Sequence, residues 1–262
     1  MLTSIYTPLS GANAQERVLE VVANNLANLN TSGFKGDGVA FSLIDSEPNH
    51  NYADPMPPAN YKQSLEDIMP LRGNEISYTG IATVYRDNAQ GPAISTSNPT
   101  DVMIEGDGYL SVQTTEGLRY TRAGNLSLSS DGVLMSVGGH PILGEKGNIV
   151  VKGIGFEINP LGEVYQNGEF IDRLLLYSVK DPNQLERVGT NYLNYNGTPD
   201  DMSVIEHPTV RQGFLEGSNV NAIKNLTAMI MAHRSFEAYQ KAIQNYDKMM
   251  DKTANSIGEV RA

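Results

Sequence analysis

Four histidines, His50, His140, His207 and His233, are the first residues to test for chemistry. None sits in a His-Glu-x-x-His or i,i+4 pair, the spacing that brings two imidazoles onto one metal. His140 and His207 each precede a proline, which suits a turn. Glu105-Gly106-Asp107-Gly108 contains a Gly-x-Gly but lacks the third glycine and the following helix of a phosphate loop, so a β-turn is the reading. Asp37-Gly38 and Asp131-Gly132 lack the ligand spacing of a calcium loop. There is no Gly-x-Ser-x-Gly elbow and no cysteine, which removes disulfides, thiol catalysis and cysteine–metal sites. The expectation is therefore no catalytic residue, no cofactor and no metal: not an enzyme.

With catalysis set aside, the charge balance speaks to partners. The chain has 262 residues and a formal net charge of −11, from 19 basic and 30 acidic side chains. An acidic chain repels phosphate backbones, so no nucleic acid is expected as partner. No window approaches 18 consecutive apolar residues, so no membrane insertion is expected. The start, MLTSIYTPLSGANAQ, has neither a basic region nor an apolar core, so no cleaved signal peptide is expected, and if the chain is exported it is by a route that reads no conventional signal.

The elements that remain are unequal in kind. At one end Ile5, Pro8, Ala12, Gln15, Leu19, Val22, Leu26 and Leu29 follow a 3-4 spacing, a helical seam near a 3.5-residue period. Pro8 either opens this helix behind Thr7 or kinks one begun earlier, and Asn30-Thr31-Ser32-Gly33 is turn chemistry that stops it. At the other end Met229, Ala232, Phe236, Tyr239, Ile243, Tyr246, Met250, Thr253, Ile257 and Val260 repeat the spacing, and all but Thr253 are apolar or aromatic. Val220, Ile223, Leu226 and Ile230 form an adjoining stripe. A helix from 219 to 260 would run about 60 Å against about 33 Å for its N-terminal counterpart.

Between them, short β-like runs such as Tyr109–Thr114 and Leu174–Val179 alternate with Glu116-Gly117, Asp131-Gly132 and Asn167-Gly168 turns, the pattern of an antiparallel β domain. Seven acids between Asp37 and Glu75, with Pro48, Pro55, Pro57, Pro58 and Pro70, mark an extended arm. The expected class is α+β: N- and C-terminal helices pairing as a coiled coil, with a mainly antiparallel β domain inserted between them. The expected divisions are 1–33 (helix), 34–75 (acidic arm), 76–216 (β-rich domain) and 217–262 (long helix). The surplus length of the second helix predicts a polymerisation interface of Leu19, Val22, Leu26, Leu29, Met229, Phe236, Tyr239, Ile243, Tyr246, Met250 and Ile257. The competing readings are helices that pair only within one chain, and a secreted β-domain binding protein or enzyme carrying such a hairpin. Seams that find cover only in a polymer also predict terminal helices poorly ordered in the monomer.

Ser10–Gln15 followed by Ala23–Lys35 resembles the N-terminal signature of the bacterial flagellar rod and hook family, carried by Asn24, Asn25, Leu26, Asn28, Thr31, Gly33 and Phe34. In that signature the leucines hold the seam, the asparagine amides can cross-link helices, and Phe34 anchors the exit. Asn98–Leu110 with Tyr120–Leu126 is similar to the start of the family's β domain, and Gln212–Val220 to the junction leading into its last helix. Gly139–Glu145 resembles the proximal (F-type) rod protein, which is favoured, while Ser10–Gln15 and Asn28–Lys35 are also close to the distal (G-type). The resemblance implies a subunit of the flagellar basal-body rod that spans the periplasm from motor to hook. Its implied partners are other copies of itself, other rod and hook subunits, and the flagellar type III export apparatus.

Overall fold

The computed structural model of the protein describes residues 6–45, 77–153, 155–189 and 191–259. Helix α1 covers Tyr6–Ala27. Pro8 therefore lies within the first described turn, where its missing N–H costs no helical bond. The helix stops three residues before the Asn-Thr-Ser-Gly turn: Asn28 makes the last i→i−4 bond, to Asn24 O at 3.2 Å, with its amide Nδ2 on the same oxygen at 2.9 Å, and the bonds then tighten to i→i−3, Leu29 N–H to Leu26 O at 3.3 Å and Thr31 N–H to Asn28 O at 3.2 Å. Helix α2 covers Ala222–Glu259, and Asn221 caps it, its Oδ1 accepting the Lys224 N–H at 2.9 Å. The two helices pack together, the flanking pair expected of the α+β class.

Nineteen strands are described between the helices. The first two are long, β1 at Asp37–Asp45 and β2 at Ser77–Arg86, and they pair with each other. A strand thus occupies the beginning of the segment expected to be an extended acidic arm; the proline-rich remainder, 46–76, lies outside the described residues. Then follow β3 (Ala93–Ser95), β4 (Val102–Glu105), β5 (Tyr109–Thr114), β6 (Gly117–Thr121), β7 (Ser127–Leu128), β8 (Leu134–Met135), β9 (Leu143–Gly144) and β10 (Gly147–Asn148). The last are β11 (Phe156–Ile158), β12 (Glu163–Gln166), β13 (Glu169–Arg173), β14 (Leu176–Val179), β15 (Leu185–Val188), β16 (Tyr192–Tyr195), β17 (Met202–Val204), β18 (Thr209–Gln212) and β19 (Phe214–Glu216).

The largest sheet has six strands in the order β15-β16-β6-β5-β14-β17, antiparallel throughout. Its buried face, with Leu110, Val112 and Leu176, joins Leu134, Ile142 and Ile149 in the main core. The turn chemistry read from sequence is in place: Asn167 and Gly168 both have positive φ, 53° and 81°, and join β12 to β13 as a two-residue hairpin.

The described residues fall into two compact units: 6–22, 39–45, 77–84 and 227–259 form one, and 23–38 with 85–153, 155–189 and 191–226 form the other. The division falls inside both helices, so residues 23–27 of α1 and 222–226 of α2 belong to the β-rich unit.

Candidate functional site

In the helical unit, α1 buries Ala12, Ala14, Val21 and Val22, and α2 buries Ala232. The covered face is broader than a strict 3-4 seam, because Ala14 and Val21 flank it. Gly11 marks a close approach: a Cβ there would stand 2.5 Å from the Tyr239 ring. Among the seam residues, Val22 is buried, while Leu19, Leu26, Leu29, Met229, Phe236, Tyr239 and Ile243 are half-buried. Tyr246 and Met250 remain 39% and 46% exposed. The Ile257 side chain lies outside the described ones.

In the β-rich unit, the residues of the signature form a joint. Asn25, buried, clamps the chain leaving the helix: its Oδ1 accepts the Asp37 N–H at 2.9 Å and its Nδ2 donates to Asp37 O at 2.8 Å. The same Nδ2 lies 3.3 Å from Asn225 Oδ1 on α2, an amide link between the two helices. Asn24 Oδ1 accepts from Arg187 at 3.3 Å, Thr31 Oγ1 donates to Asn28 Oδ1 at 3.2 Å, and the Phe34 ring lies 4.4 Å under the Arg187 guanidinium.

Gly33 has φ 70°, and a Cβ on it would stand 2.5 Å from the Arg122 carbonyl oxygen, so only glycine fits there. Its N–H donates to Glu216 O at 2.8 Å. Asn219 completes the joint, accepting the Gly36 N–H at 2.8 Å and donating to Asp87 O and Ala89 O at 2.8 and 3.0 Å.

At the centre of the joint is a buried ion trio. Glu216 accepts from Lys35 Nζ at 2.5 Å through Oε1 and from Arg122 Nε at 2.6 Å through Oε2, and Oε1 also accepts the Gly91 N–H at 2.9 Å. Arg122 spends its other donors on the carbonyl oxygens of Gly108, Ile104 and Gly106. Burial by itself would raise the Glu216 carboxyl, but Arg122, Lys35 and the Gly91 N–H together hold it below the ordinary carboxylate value. Burial pushes the Lys35 ammonium down, against the opposing pull of Glu216.

In the sequence, Lys35, Arg122 and Glu216 stand only within the runs that resemble the rod and hook family, with no role of their own. The available signal was local: Phe34-Lys35, Thr121-Arg122-Ala123 and Leu215-Glu216-Gly217 each place one charge among small or apolar neighbours. What paired them was a fold that brings together residues 35, 122 and 216. Among the described residues no group of acids and histidines is placed to hold a metal ion. Within the β-rich unit, these bonds fasten residues 24–37 to residues 87–91, Arg122 and 216–219.

Comparison with known proteins follows the same three parts. Residues 5–35 match the family described as flagella basal body rod protein, 103–166 the flagellar hook protein FlgE/F/G D1 domain, and 211–257 the flagellar basal body rod FlgEFG protein C-terminal family. The flagellar hook-basal body complex protein FlhO of Bacillus subtilis is 32% identical over 99% of this chain and 100% of its own length. The flagellar basal-body rod protein FlgF of Mesorhizobium japonicum is 29% identical over 99% of this chain and 96% of its own. The flagellar basal-body rod protein FlgG of Agrobacterium fabrum is 30% identical, with 95% and 97% covered. With the signature, the β domain and the last helix all matched in order, the chain belongs to the flagellar basal-body rod and hook protein family.

Proposed function

We propose that the chain is a structural subunit of the proximal segment of the flagellar rod, joined to copies of itself and to other rod and hook subunits through its terminal helices. The family supplies the rod role; one observation carries the assembly mode. Every side chain of α2 from Gln244 to Thr253 is exposed, Tyr246, Met249 and Met250 included. At 1.5 Å per residue the 38-residue α2 is about 57 Å long and the 22-residue α1 about 33 Å, so α1 can flank little more than half of it. Adaptable methionines and a tyrosine on a helix surface suit contacts with neighbouring helices. Heterologous contacts of this kind do not close on themselves and build a helical tube.

Among the described residues no helix is long and apolar enough to cross a membrane, consistent with delivery as an exported axial subunit by the flagellar type III apparatus. The test is complementation of a deletion strain with a Tyr246→Asp, Met250→Asp double variant, followed by electron microscopy of purified basal bodies. The expected outcome is a purified monomer that melts like the wild type, together with loss of motility and a rod that stops short. Normal rods from the double variant would overturn the assembly mode. The level at which the rod stops in the deletion strain separates a proximal from a distal position.

A further inference from the structure

The chain contains no cysteine and 10 methionines, so thioethers are its only sulfur. Their exposure is uneven. Among the described methionines Met103 is buried, Met135, Met202 and Met229 are half-buried, and Met231, Met249 and Met250 are 64%, 63% and 46% exposed. All three exposed ones lie on α2. Met231 adjoins the buried Ala232, in the packed part of the helix. Met249 and Met250 stand in the stretch from Gln244 to Thr253, where every side chain is exposed. Tyr246 precedes them by three and four positions, the spacing at which helical side chains are neighbours.

We propose that Met249 and Met250 form an oxidation site for peroxide, and that their sulfoxides keep the subunit from joining the rod; the second half rests on the assembly mode proposed above. The step balances without a cofactor. A thioether lone pair attacks one oxygen of hydrogen peroxide, the O–O bond breaks and an S–O bond forms. Sulfur gives up two electrons, and the departing hydroxide takes the proton from the transferred oxygen and leaves as water. Solvent access decides which thioethers react first.

Oxidation turns a flexible apolar side chain into a polar, chiral one. The sulfoxide oxygen accepts hydrogen bonds, and pressing it against apolar side chains of a neighbouring helix strands that acceptor. In the free subunit water meets thioether and sulfoxide alike, so the two forms differ most at the moment of addition. Neighbours that cover the pair also exclude peroxide. The site thus discriminates against oxidised subunits before addition and is shielded afterwards. Met103, 4% exposed, carries the same chemistry without the access and serves as internal reference.

The test follows hydrogen peroxide oxidation, residue by residue, by peptide mass spectrometry of the purified full-length subunit and of purified basal bodies. In the free subunit Met249 and Met250 are expected to oxidise at least about tenfold faster than Met103. In basal bodies they are expected to react far more slowly than in the free subunit. Oxidation of the pair no faster than Met103 overturns the site, whatever the assembly mode. Equal rates in subunit and basal body overturn the shielding and, with it, the block on addition. Two double variants, expressed on induction in the deletion strain, test the block itself. Met249→Leu with Met250→Leu keeps the apolar volume and removes the sulfur. Under sublethal peroxide its count of complete rods is expected to fall less than that of wild type, each strain measured against itself without peroxide. General peroxide damage acts on both strains alike, so an equal fall overturns the block. Met249→Gln with Met250→Gln imitates the polar sulfoxide and is expected to cut complete rods at least about tenfold without peroxide. Normal rods from a Gln variant that melts like the wild type mean that the assembly mode has failed, while the oxidation site stands or falls on the mapping. If the Gln variant does not fold, the mapping and the Leu comparison still decide.

Discussion

The joint around Glu216 and the outer half of α2 answer the same problem in opposite ways. In the joint, residues 24–37 and 216–221 carry many polar groups, and nearly every one is bonded by the chain itself: Asn25 to Asp37, Asn219 to Gly36, Asp87 and Ala89, Glu216 to Lys35, Arg122 and Gly91. Along α2 from Gln244 to Thr253 the chain leaves Tyr246, Met249 and Met250 open to solvent. A region closed by its own bonds needs no further partner for its polar groups, whereas a region with open apolar surface leaves that surface for the neighbouring subunits of the proposed assembly. Cutting a bond in the first should therefore be read in monomer stability, and a change in the second only in assembly.

The largest effect is expected at Glu216. Glu216→Ala leaves two buried cations without their shared carboxylate, and removing one partner of a buried ion pair costs about 3–5 kcal/mol. Urea unfolding followed by tyrosine fluorescence measures it, as the chain has no tryptophan. The same group sets an acid limit. Its folded-state pKa is depressed, so its contribution is complete above the unfolded carboxylate value of about 4.3 and is lost as pH falls through the lower, folded value. Wild-type stability should therefore drop more steeply below pH ~4 than that of Glu216→Gln. Parallel acid profiles would contradict the trio as drawn.

A smaller loss is expected at Gly33, where the residue cannot move without moving the joint. Gly33→Ala places a Cβ against the Arg122 carbonyl at φ 70°. Backbone strain of this kind costs about 1–3 kcal/mol. Urea titration gives the number, and an unchanged midpoint would mean that the turn relaxes freely.

Much of this architecture was legible from periodicity. The two seams located both helices, and the Asp-Gly and Asn-Gly pairs located turns, because each depends on near neighbours only. The β1–β2 pairing was not legible: Asp37–Asp45 lies in an acid-bearing run, and its partner begins 32 residues after it ends. The trio was hidden for the same reason, since Lys35, Arg122 and Glu216 are separated by 87 and 94 positions. Asn25 was read as a helix cross-linker, and it does reach Asn225, but its two bonds to Asp37 also make it the clamp on the chain leaving α1. Local chemistry names a residue's capacity, and the fold decides which partner uses it.

The smallest effect expected in the monomer sharpens the comparison from the other side. A helix draws most of its stability from packing of its apolar face rather than from propensity. The stretch of α2 from Gln244 onward has every described side chain exposed, so its helicity in the free subunit rests on propensity and on continuity with the packed part around Ala232 and Tyr239. Neighbouring subunits that cover Tyr246 and Met250 would supply the missing packing. The 222 nm circular dichroism per residue should then rise on assembly, while the β-sheet signal and the acid profile of the Glu216 joint stay as they were. If helix content were equal before and after assembly, the outer half of α2 would already be complete in the monomer, and the contrast between a closed joint and an open helix would fail.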